Sequence, residues 1–115
     1  MFDFALLQPY VEDPKITDID TNANCVFVTH QDKGRYKVLN LPDGYLEQML
    51  NRICNYPQID QEFNYHKPIM DGTMDGLRIH AVHHSIMYPF CWLSIRKNPT
   101  ALQIHEADYP QKNEK

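Results

Sequence analysis

Hydrophobic positions recur with two periods along the chain, and the change of period marks its elements. Leu46, Met49, Leu50, Ile53 and Cys54 fall at i, i+3, i+4, i+7 and i+8, the apolar stripe of one amphipathic helix. Asp43 stands where an N-cap is expected, Pro42 sets the entry, and Asn55-Tyr56-Pro57 ends the helix. Elsewhere the period is two. In 77–84, Leu77, Ile79 and Ala81 share one face; in 90–97, Cys91, Leu93 and Ile95 share another. Ser85-Ile86-Met87-Tyr88-Pro89 between them is the length of an antiparallel hairpin connection.

The remaining elements are shorter. Residues 4–10 read as a short apolar helix or turn limited by Pro9. Residues 16–20 read as a short strand, 21–24 as turn chemistry, and 25–30 as a strand by β-branched and aromatic content. Residues 31–35 form a turn and 36–39 return from it. The polar stretch 57–67 reads as a loop carrying Phe63 and Tyr65. Residues 68–76 lead into the hairpin, their two Asp-Gly pairs marking turns. Apolar periodicity fades after Lys97. The expectation is therefore one domain over 1–98, with 99–115 a linker or truncated end.

The hairpin register carries the main functional clue. With His84 opposite Phe90, counting back along both strands sets Arg78 opposite Arg96, on the face away from the apolar residues. Two guanidinium groups so placed repel each other, and become favourable when an anion lies between them. Isolated exposed arginines are common on strands. Here Val82 and Trp92 share the face, so it reads as a surface that receives another layer.

Composition narrows the class. The chain has 115 residues and a formal net charge of −4, which argues for a single domain and against direct nucleic-acid binding. No apolar run approaches the roughly 20 residues of a membrane span. Met-Phe-Asp-Phe is not the basic start of a signal peptide, so a cytoplasmic location is expected. Cys25, Cys54 and Cys91 are odd in number, widely spaced and in apolar settings. They read as buried free thiols of a reducing compartment.

Other chemistry finds little support. His80 and His84 share a strand face but would stand about 13 Å apart, with His83 pointing the other way, so no metal site is expected. There is no GxSxG elbow for nucleophilic catalysis. None of the four glycines opens a Gly-Lys-Ser/Thr motif, so this chain alone has no P-loop with which to hydrolyse ATP.

Leu7-Gln8-Pro9-Tyr10, Asp13-Pro14, Ile16-Thr17-Asp18-Ile19, Pro68-Ile69-Met70-Asp71-Gly72, Asp75-Gly76-Leu77-Arg78-Ile79-His80 and Ser94-Ile95-Arg96-Lys97 follow one another in a recognisable order. Over about residues 6–98 the chain resembles the N-terminal domain of the type II/IV secretion traffic ATPases, nearest the CpaF-like branch. The resemblance implies an α+β fold, PAS-like, with a mainly antiparallel sheet and flanking helices. It implies a following RecA-like ATPase domain, absent from this chain, that binds ATP and Mg. The isolated domain is then expected to carry no cofactor. It further implies a hexameric ring, partners in the inner-membrane secretion or conjugation machinery, and a position peripheral to the cytoplasmic membrane. The family's phosphate-reaching arginines match Arg78 and Arg96. One departure is Ile86-Met87-Tyr88-Pro89, where the family has a Gly-containing turn. The alternative reading is a free-standing PAS-like sensor or adaptor that binds a small ligand or protein partner.

Overall fold

Pairing between the two ends of the chain organises the fold. In the computed structural model, which describes residues 2–97, β1 (Ile16–Asn22) lies against β6 (Trp92–Lys97). This joins an N-terminal meander, β1, β2 (Cys25–His30) and β3 (Gly34–Asn40), to a C-terminal one, β4 (Ile69–Met74), β5 (Leu77–Val82) and β6. The result is a six-stranded sheet of order β3-β2-β1-β6-β5-β4, every neighbouring pair antiparallel. Helices α1 (Gln8–Glu12), α2 (Tyr45–Cys54) and α3 (His84–Met87) complete an α+β fold.

One face of the sheet is the core. Val28, Ile19, Ile95 and Ile79 form a buried row across four strands and end at Gly72 on β4. The predicted helical stripe Leu46, Met49, Leu50, Ile53 and Cys54 is wholly buried in the same cluster, with Phe2, Phe4 and Leu7. Register is strongly set. A one-residue slip of β6 would turn Leu93 and Ile95 to solvent, at about 1.5–3 kcal/mol for each fully buried side chain. Ile16 and Ile19 both point inward although three residues apart, because the β1–β2 register shifts between Ile16 and Asp18.

Several element boundaries differ from the sequence reading. The strand expected over 77–84 stops at Val82, and its partner begins at Trp92 rather than Phe90. The connection is longer and holds α3, whose N-cap is His83. Asp71-Gly72 is not a turn. It lies within β4, where Gly72 leaves room for the Ile59 and Gln61 side chains. Asp75-Gly76 is the turn, with positive φ at both residues, the requirement of a type I′ loop. Asp43 does not cap α2; its carboxylate accepts from the Asn24 side chain, and Gly44 is the N-cap. Pro9 lies in the first turn of α1, where its missing N–H costs nothing, and the helix runs on to Glu12. The three cysteines are free, with Cys54 and Cys91 buried and Cys25 half-exposed. The boundary expected at 98/99 and the linker 99–115 lie outside the described residues.

Candidate functional site

The face of the sheet opposite the core carries charge in rows. One row runs Arg35, Thr29, Asp18, Arg96, Arg78, Thr73 from β3 to β4; the next runs Lys37, Phe27, Asp20, Ser94, His80, Asp71. Arg78 and Arg96 are directly opposed, as the hairpin register predicted. The register survives the shorter strands because the extra residues of the connection add equally to both sides.

Neither guanidinium is left unpartnered. Arg96 Nε donates to Asp18 Oδ1 at 3.1 Å, on the β1 side. Arg78 Nε donates to Asp71 Oδ1 at 3.2 Å and its Nη2 to Oδ2 at 3.4 Å, on the β4 side. The Arg78 hydrogen bond holds the Asp71 carboxyl below the usual carboxylate range, and the same bond raises the Arg78 guanidinium. Each arginine is thus held along its Nε edge by a carboxylate from the outer neighbouring strand. These aspartates were not singled out from the sequence. Asp18 follows from the pairing of β1 with β6, a contact between chain ends that no local pattern reveals. Asp71 has the turn composition of an Asp-Gly pair but lies within β4.

An open depression of about 570 Å³ follows the arginines along β5 and β6. His80, Ser94 and Trp92 line it in turn, with Asp71 and Thr73 from β4. The His80 ring stands edge-on to Trp92, centroids 5.5 Å apart. Charged, polar and aromatic groups therefore succeed one another along one sheet face. Arg78 and Arg96 are opposed across two adjacent strands. Such a site can bind and orient an anion.

The lysine beside the pair is structural. Lys97 is buried, and its Nζ donates to the Tyr10 and Asp13 backbone carbonyls at the end of α1. Burial lowers its pKa, and the Asp13 carboxylate partly opposes that. Of the three histidines considered as metal ligands, only His80 is on the strand. His83 caps α3, its Nδ1 accepting from the Ser85 backbone N–H at 3.2 Å, and His84 belongs to that helix. Among the described residues, no three His, Cys, Asp or Glu side chains gather as a metal site. No helix among those residues is long and apolar enough to cross a membrane.

No protein-family model matches the chain, and no curated protein does. A solved structure does match: the VirB11 ATPase from the Brucella suis type IV secretion system, crystallised in complex with sulphate. The fold resembles part of that ATPase. The TM-score is 0.67 with 24% sequence identity, over 80% of this chain and 28% of the VirB11 chain. The likeness is one of fold, and it takes in little more than a quarter of the larger protein.

Proposed function

We propose that the chain is the N-terminal domain of a secretion-type traffic ATPase, CpaF-like by its sequence motifs, and that Arg78 and Arg96 contact the phosphates of ATP held by a RecA-like domain. The observation that carries this reading is the direct opposition of the two arginines on an open, non-core face of the sheet. A surface of this kind suits a second domain closing over it with an anion between. The fold likeness to a VirB11 ATPase supports the reading, and that ATPase was crystallised with sulphate, a tetrahedral anion shaped like phosphate.

In this reading the residues fit a phosphate group. Arg96, bonded to Asp18 through Nε alone, offers its Nη edge for a forked contact, while Arg78, held by Asp71 through Nε and Nη2, offers Nη1 and the second Nη2 hydrogen. ATP and Mg belong to the companion domain, which supplies the phosphoryl chemistry. This chain's own part is to bind and orient charge. The reading extends to a hexameric ring on the cytoplasmic side of the membrane, serving secretion, pilus assembly or conjugation machinery.

The open reading frame provides the first test. A GxxxxGK[ST] segment is expected within roughly 30–60 residues after this domain, the distance a linker and a βα unit need. A reading frame without one contradicts the proposal and favours a free-standing sensor or adaptor.

A further inference from the structure

Arg78 and Arg96 do not present two free charges to an incoming anion. Each is already bonded to a carboxylate, Asp71 and Asp18 respectively, and the four groups together carry no net charge. The two aspartates lie on the outer sides of the arginine pair, one on β4 and one on β1. An anion entering between the arginines therefore competes with both carboxylates for the same guanidinium charge.

We propose that Asp18 and Asp71 set the anion affinity of this face, neutralising the arginine pair so that it holds free phosphate weakly and favours a phosphate delivered by another domain. The proposal rests on the reading of Arg78 and Arg96 as an anion site and assigns the two aspartates a role within it. Both ion pairs are solvent-exposed, with Arg78 and Arg96 side chains 63% and 73% accessible, so the restraint is modest and reversible. A site left with two unneutralised arginines would bind free phosphate and pyrophosphate whether or not a partner domain were present.

The test titrates inorganic pyrophosphate into the 115-residue chain at constant ionic strength, following the arginine Nε–H resonances by NMR. Asp18→Asn and Asp71→Asn are each expected to tighten binding about two- to fivefold, the range open to an exposed pair, and the double variant more. Asp32→Asn is the control for net charge. Asp32 pairs with Lys15 away from the depression, and its change is expected to move affinity less than twofold. Asp→Ser variants replace any Asn variant that melts early. Tightening that disappears when Arg78→Ala and Arg96→Ala are added supports the proposal. Asn variants that bind no tighter than wild type, while the alanine variants still lose binding, overturn it and leave the anion site standing. Binding indifferent to the arginines, or absent from every variant, ends both.

Discussion

Arg78 and Arg96 sit directly opposite each other on β5 and β6, yet each bonds to an aspartate on its far side, Asp71 on β4 and Asp18 on β1. The repulsion expected between two facing guanidinium groups is relieved within the sheet itself, without a ligand. Both side chains line one open depression.

Because both side chains are exposed, neither arginine is expected to hold the fold together. Arg78→Ala and Arg96→Ala should each melt within about 3 °C of wild type. Early unfolding of either variant by circular dichroism would make that arginine structural and the face assignment wrong.

Lys97 should behave in the opposite way. Lys97→Met keeps the buried stem but leaves the Tyr10 and Asp13 carbonyls without their donor. The expected cost is about 1–3 kcal/mol, a fall in Tm of roughly 4–8 °C per kcal/mol for a domain of this size. An unchanged melting temperature would show that the ammonium contributes nothing to holding α1.

The hairpin connection should be pH-sensitive through His83. Burial lowers its pKa, the neighbouring His84 charge lowers it further, and Glu47 partly opposes both. In the unfolded chain the ring takes up its proton near pH 6.5. The unfolded state therefore binds more protons between that value and the lower folded one, so stability rises with pH across the window. Stability from this group is complete above about pH 6.5 and is lost as pH falls through the folded pKa. His83→Asn retains a capping acceptor without the titration. Its Tm should fall less than that of wild type between pH 7 and pH 5; parallel curves would exclude His83 as the cause.

Gly76 is the second residue of the β4–β5 turn and has φ of +81°. Gly76→Ala places a Cβ in the left-handed region, at about 1–2 kcal/mol. Urea denaturation should show a lower midpoint with an unchanged m-value. A midpoint equal to wild type would mean the turn relaxes to another type.

What was legible in the sequence was what local periodicity controls. The α2 stripe and the inward faces of β5 and β6 follow from spacings of 3.6 and 2. The opposition of Arg78 to Arg96 follows from the hairpin register, which holds although the pair of His84 with Phe90 that it is counted from is not formed. Competing local signals misled elsewhere. Asp71-Gly72 has turn composition, but its glycine serves close packing by Ile59 and Gln61 inside a strand. His83 and His84 continue the β5 pattern, yet a ring nitrogen that accepts from Ser85 starts α3 instead. Asp43 has the composition of a cap and is drawn off by Asn24. The arginines' partners depend on non-local strand order. Only the pairing of β1 with β6 brings Asp18, 78 residues away in sequence, to Arg96.

The central proposal concerns ATP, and turnover by the parent ATPase that it implies tests it most directly. Arg78→Ala and Arg96→Ala, each with a normally melting N-terminal domain, are expected to lower ATP turnover by about 10- to 150-fold, the effect of losing one charge-assisted contact made in the transition state. Lysine at either position should restore only part of the rate, since it keeps the charge and loses the fork. Wild-type turnover by both folded alanine variants would contradict the account and leave the pair as ordinary surface.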